Sequence, residues 1–231
     1  MAIPRITVLV SGRGSNLRAL IDAERRGQLG GTIASVLCNR ANAPALGIAA
    51  EHGIATQVIE HRTFATRDAF EAALAAAIDA SEPDLIVLAG FMRVLGAAFV
   101  ARYAGRMLNI HPSLLPSYPG LDTHKRALAE GVRIHGCTVH FVTADVDHGP
   151  IVMQGAVAVR DGDDEAKLAA RVLEVEHQVL PAAVRAFCEH RLVITGRRVR
   201  VNDEMVPAAA LVVPSPLAST GLHGDESPPS A

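Results

Sequence analysis

A chain of 231 residues with 49% hydrophobic and 20% charged residues can bury a core of its own without disulfide or metal staples. Its 22 basic and 24 acidic residues are interspersed and leave a formal net charge of −2, which excludes the broad basic footprint of a nucleic-acid binder. Three cysteines (Cys38, Cys137, Cys188) without CxxC spacing point to reduced thiols, and no run approaches the ~20 apolar residues of a membrane span.

The N-terminal run Ile6 to Val10 enters a glycine turn directly, with no long apolar region or cleavage site, so it is a first strand and not a leader, and a cytoplasmic protein is expected. The turn, Ser11-Gly12-Arg13-Gly14-Ser15-Asn16, opens a helix over Asn16 to Arg26. Free N–H groups and the helix dipole there suit a phosphate, and Ser15 or Asn16 can cap the helix. Leu17 stands where a dinucleotide fingerprint needs its third glycine, and the Lys-Ser/Thr of a Walker loop is missing, so a phosphomonoester fits best. A plain tight turn would look the same.

Short β-branched runs then alternate with Ala-rich helical stretches. Strands are expected at Ile33 to Cys38, Thr56 to Ile59, Leu85 to Leu88 and Met107 to Ile110, with helices at Pro44 to His52 and Thr66 to Ala80. This is the rhythm of a parallel sheet. The last strand should be interior and parallel, and such strands are apolar on both faces. Asn109 and His111 break that rule on one face, at the carboxyl end where open α/β sheets bind ligands. An amide can donate to a developing oxyanion and an imidazole can exchange a proton near neutral pH, which is equipment for acyl transfer. Both could equally serve loop carbonyls.

Pro112 stops the strand, and the Pro- and Gly-rich segment 112–120 can fold over its end. A short helix at Thr123 to Glu130, strands at Cys137 to Val142 and Ile151 to Val159, a long helix from Asp164 to Glu189 and a hairpin from Leu192 to Val201 follow. In the first of these strands His135 and Cys137 share one face and His140 takes the other, so no metal site converges and these residues are expected to pack or to hydrogen-bond. A Ser nucleophile is unsupported because GxSxG is absent. The turn after it holds Asp147 before Gly149-Pro150. A carboxylate there, if adjacent to His111, would raise the imidazole pKa, though a turn Asp is most often only a turn Asp.

The fold expected is α/β: a mostly parallel twisted sheet with helices on both faces, a Rossmann-like N-terminal half and a smaller mixed C-terminal part. One domain should span 1–202, with halves meeting near residue 110, and the Pro-rich stretch 203–231 should be a mobile tail.

The string Asn109-Ile-His111-Pro-Ser-Leu-Leu-Pro116 with Tyr118-Pro-Gly120, the Ser11 to Asn16 loop and Asp147-x-Gly-Pro150 together resemble the folate-dependent glycinamide ribonucleotide formyltransferases over about residues 5–200. The resemblance implies formyl transfer from 10-formyltetrahydrofolate to the amine of 5-phosphoribosylglycinamide, by direct attack, in a monomer or homodimer without metal. It implies His111 as proton donor, Asn109 as oxyanion partner and Asp147 as the residue that tunes His111. Gly14, Ser15, Asn16 and Glu176 match the ribonucleotide site. Arg67, Met92, Arg93, Val94, Leu95 and the loop Thr143, Ala144, Asp145, Val146 and Asp147, with Asn109, match the folate cleft; the half from about 1 to 110 is expected to bind the phosphate and the half from about 111 to 202 to serve the folate and catalysis. Without the resemblance, Arg67 is a solvated helix charge and Met92 to Leu95 is core. His148 sets a second titratable ring beside Asp147.

The same core motif resembles formyltetrahydrofolate deformylases and other formyltransferases. A deformylase is expected to carry a regulatory domain before the first strand, and a methionyl-tRNA formyltransferase a basic RNA-binding domain after the last helix. Strand one starts near residue 5 and the tail is short and has no Lys or Arg, which favours the small phosphorylated acceptor. A nucleotide-binding module without catalysis is the remaining alternative.

Overall fold

The computed structural model of the chain describes residues 2–202 and Val213; the tail expected at 203–231 otherwise lies outside the described residues. The elements in chain order are β1 (Arg5–Val10), α1 (Ser15–Arg25), β2 (Thr32–Cys38), α2 (Pro44–Glu51), β3 (Ala55–Val58), α3 (Arg67–Ala80), β4 (Leu85–Leu88), α4 (Ala97–Arg102), β5 (Met107–His111), α5 (Thr123–Ala129), β6 (Ile134–Phe141), β7 (Ile151–Ala158), α6 (Glu165–Cys188), β8 (Leu192–Thr195) and β9 (Arg198–Val201). Every expected strand and helix is present. Helix α4 is not singled out by periodicity, because six residues make less than two turns.

The strands form one sheet in the order β3-β2-β1-β4-β5-β6-β7-β9-β8. From β3 to β5 every pairing is parallel, whereas β6 runs antiparallel to both β5 and β7. Strand β5 is therefore interior as expected, but parallel only towards β4. The physical reason is the connection: a short helix after β5 leads back into a neighbouring strand without a crossover.

Side-chain alternation divides the core in two. Ile6, Val8, Val10, Leu108, Ile110, Cys137 and Val139 face α1 and α6. Leu9, Ile86, Leu88 and Met107 face α3 and α4 across Phe70, Leu74, Ile78 and Phe99. Asn109 and His111 fall on this second face by the period of two, where the apolar layer ends. Thr66 caps α3 by accepting from the Ala69 N–H and Asp164 caps α6 by accepting from the Lys167 N–H, whereas α1 starts after Gly14 without a side-chain cap. The expected cap by Ser15 or Asn16 is thus corrected: both lie inside the helix, past the capping position. Among the described residues no helix is long and apolar enough to cross a membrane.

The glycine turn needs Gly14 for two reasons. Its φ is 79°, a left-handed value, and a Cβ there would lie 2.8 Å from Ala45 of α2. Gly14→Ala is expected to cost about 1–3 kcal/mol of stability, seen as a lower urea midpoint with unchanged slope. An unchanged midpoint would show that neither strain nor contact matters there.

Candidate active site

The end of β5 is where polar groups enter the core. His111 is buried, and its Nε2 lies 2.9 Å from the Tyr118 carbonyl oxygen. A carbonyl only accepts, so Nε2 carries the proton and the neutral ring presents a bare Nδ1. That Nδ1 is 3.4 Å from Asp147 Oδ2. The loop 143–149 delivers Asp147 from between β6 and β7: Asp147 itself sits at φ 57°, and Gly149 passes so close to the Phe141 carbonyl that any Cβ would collide with it. The same Oδ2 accepts the Gly120 N–H at 2.8 Å, which ties this loop to the segment that follows His111.

A fourth residue completes the cluster. Strands β5 and β6 pair with Asn109 opposite His140, and the amide Nδ2 lies 3.1 Å from His140 Nε2. The Phe141 carbonyl accepts from His140 Nδ1 at 2.9 Å, which leaves Nε2 to accept from Asn109. Asp147 Oδ1 stands 3.6 Å from that same Nε2. His140 thus hydrogen-bonds, within the expectation of a packing or hydrogen-bonding residue, whereas the expectation about His148 is corrected. His148 is exposed and donates to the Val146 carbonyl, while the second ring beside Asp147 is His140. The signal for His140 was its alternation onto the face opposite Cys137; what the sequence lacked was the register that sets it against Asn109.

Burial pushes the His111 pKa down, further helped by the His140 ring, and outweighs the Tyr118 carbonyl and the Asp147 charge that pull it up. The expected rise is therefore corrected to a fall: desolvation dominates. Burial raises the Asp147 carboxyl, but the His140 ring, the Gly120 N–H and His111 outweigh it and hold the pKa below the usual carboxylate value. An anion beside a neutral imidazole is the resting state this favours.

The glycine turn forms a second polar region. Asn16, in the first turn of α1, donates from Nδ2 to Glu176 Oε2 of α6 at 2.7 Å, and its Oδ1 is buried without a hydrogen-bond partner. Burial raises the Glu176 pKa, while the Asn16 N–H and the Arg13 charge pull it back. A cleft of about 380 Å³ beside the turn is lined by Arg13, Ser15, Arg18, Asp22, Arg26 and His177. Three arginines against one aspartate make it an anion's environment.

Comparison with known proteins agrees with this architecture. The model of the formyl transferase family matches residues 4–184. The chain belongs to the formyl transferase family. It is 46% identical to the phosphoribosylglycinamide formyltransferase of Escherichia coli (strain K12) over 202 residues, 87% of this chain and 95% of that one. Among solved structures, glycinamide ribonucleotide transformylase 1 from Symbiobacterium toebii matches with a TM-score of 0.84 at 47% identity, covering 86% of this chain and 94% of that one. A formyltetrahydrofolate deformylase from Burkholderia mallei matches less well, with a TM-score of 0.79 at 34% identity over 87% of this chain and 70% of that one.

The residues expected to line the folate cleft of this formyl transferase lie on separate elements. Arg67 opens α3 with its side chain half exposed, and its Nε donates to Glu71 at 2.8 Å. Met92, Arg93 and Val94 are exposed on the segment between β4 and α4, whereas Leu95 turns into the apolar core and can offer a ligand only its backbone. The Met92 N–H donates to Ser11 Oγ at 2.8 Å, which joins this segment to the glycine turn. Thr143, Ala144, Asp145 and Val146 form the approach to Asp147, braced by a Thr143 hydroxyl bond to the Asp145 carbonyl.

The charge balance at His111 is measurable. A ¹H–¹³C NMR titration should give a His111 midpoint below 6.5, lower still in Asp147→Asn, because the carboxylate is a raising influence; a midpoint above 6.5 would contradict dominance by burial. By linkage, this lowered pKa gives stability that is complete above pH 6.5 and is lost as pH falls through the folded value.

Proposed function

We propose that the chain transfers the formyl group of 10-formyltetrahydrofolate to the amine of 5-phosphoribosylglycinamide. The observation that carries this reading is the cluster of Asn109, His111, His140 and Asp147 at the end of β5. The Asn109 amide lies 3.1 Å from His140 Nε2, and the Asp147 carboxylate stands 3.6 Å from that nitrogen and 3.4 Å from the bare Nδ1 of His111. The amine attacks the formyl carbon and gives a tetrahedral intermediate whose oxygen carries the developing negative charge. Asn109 has a second N–H to donate to that oxygen. A proton leaves the attacking nitrogen and one reaches the folate N10 as its bond to the formyl carbon breaks.

His111 supplies that transfer through Nδ1, because Nε2 is committed to Tyr118. Once protonated at Nδ1, the ring lies between two acceptors, the Tyr118 carbonyl and Asp147, and burial makes it a ready donor. Asp147 steadies the imidazolium and orients it.

The acceptor reading rests on the glycine turn. Phosphate suits the N-terminus of α1 at Gly14, Ser15 and Asn16 with Arg13 nearby. The unsatisfied Asn16 Oδ1 and the Glu176 carboxyl provide acceptors for ribose hydroxyls. The folate lies along Arg67, Met92 to Leu95 and the Thr143 to Asp147 loop, and a guanidinium suits its terminal carboxylate.

The decisive assay mixes purified protein and 10-formyltetrahydrofolate with phosphoribosylglycinamide or with water alone. Formylated ribonucleotide is the expected product; free formate without it would make the chain a deformylase. His111→Ala and Asn109→Ala should each lower kcat by about 10²- to 10⁴-fold in folded protein. Near-wild-type rates in both would sink the mechanism. Asn16→Ala should raise KM for the ribonucleotide and leave KM for the folate unchanged, as separate initial-rate series for the two substrates would show.

A further inference from the structure

Glu71 is a carboxylate on α3 that lies almost wholly inside the protein, next to the folate-facing elements but pointing away from solvent. One of its oxygens does two things at once. Oε1 accepts Arg67 Nε at 2.8 Å and the Gly96 backbone N–H at 2.7 Å. Gly96 is the residue before α4, immediately after the segment from Met92 to Leu95. Its missing side chain matters: a Cβ at Gly96 would collide with Arg67 Nη2 and meet Glu71 Oε2 at 2.8 Å. The guanidinium, the carboxylate and the α4 approach are therefore in mutual contact, with Glu71 as the part all others touch.

We propose that Glu71 is a positioning residue for the folate co-substrate, fastening Arg67 to the Met92–Leu95 segment so that the two sides of the cleft form one rigid wall. An arginine on the surface of a helix would otherwise sample many rotamers, and a ligand would have to freeze it on binding. Glu71 engages only the Nε edge. The terminal nitrogens of Arg67, whose side chain is 52% exposed, remain for a carboxylate of the ligand. The segment itself is held at both ends, by Glu71 at the Gly96 N–H and by Ser11 at the Met92 N–H. Between them stand the exposed Met92, Arg93 and Val94.

This inference rests on the folate reading of Arg67 given above, and steady-state kinetics with the full chain separate the two. In Glu71→Gln the remaining amide oxygen can still accept the Gly96 N–H, but the charge that holds Arg67 is gone. KM for 10-formyltetrahydrofolate should rise about 3- to 10-fold, while kcat at saturating folate and KM for the ribonucleotide stay within about twofold of wild type. Arg67→Ala should raise the same KM, and adding Glu71→Gln to Arg67→Ala should raise it little further, since the positioned group is already absent. Should Glu71→Gln not fold, Gly96→Ala, which displaces the pair from its other side, is expected to give the same selective rise. An increase with Arg67→Ala but none with Glu71→Gln or Gly96→Ala overturns the role of Glu71 and leaves the folate reading standing. No increase with Arg67→Ala overturns both. A fall in kcat with unchanged folate KM in Glu71→Gln also overturns the proposal.

Discussion

A histidine buried at the end of an interior strand has to find hydrogen-bond partners among protein groups, and the loops around the end of β5 are arranged for that need. His111 obtains one partner from its own chain seven residues on, the Tyr118 carbonyl, and Asp147, on a loop between strands that pair later in the sheet, becomes the other once Nδ1 is protonated. Each partner carries a structure with it. Tyr118 stands at φ 56° with its hydroxyl donating to Glu130 and Arg126 over its ring, so the carbonyl is fixed from several sides. Asp147 is fixed by its own left-handed backbone, by the glycine two residues on and by the Gly120 N–H. A buried polar group left unpaired is costly, so the geometry that suits catalysis is also the one that keeps the fold intact.

Much of this was legible in the sequence. Period-two alternation predicts that Asn109 and His111 share a face, and that face is where the apolar layer under α3 and α4 stops. Strand and helix positions follow from β-branched runs, caps and glycine turns. What the sequence could not convey is pairing across long separations. His140 alternates correctly, yet only the antiparallel register of β5 with β6 sets it opposite Asn109. The direction of the His111 shift failed for a related reason: a neighbouring carboxylate is visible as a residue type, whereas the depth of burial that outweighs it depends on what covers the ring. Leu95 was legible as apolar, but its turn into the core depends on the backbone path before α4, which is too short an element to leave a periodic trace.

The glycine turn and the segment before α4 are mechanically joined. Ser11 donates to Asn39 and accepts from Met92, so the base of the glycine turn and the start of the Met92–Leu95 segment share one hydroxyl. Group transfer between two bound molecules depends on their relative placement to within a fraction of an ångström. A single buried side chain that spans both sites is a stiffer reference than two loops held independently.

The bond between Asn16 and Glu176 joins residues 160 positions apart. The glycine turn is made well before the carboxylate it bonds, which arrives on α6. Closing so long a loop is slow compared with forming a local helix or hairpin. Until α6 docks, the Asn16 amide lacks its partner and α1 is covered by α2 and β2 without α6. A ligand that bridges the turn and α6 would then act on folding as well as on catalysis, because it binds only the form in which both ends of the chain have met.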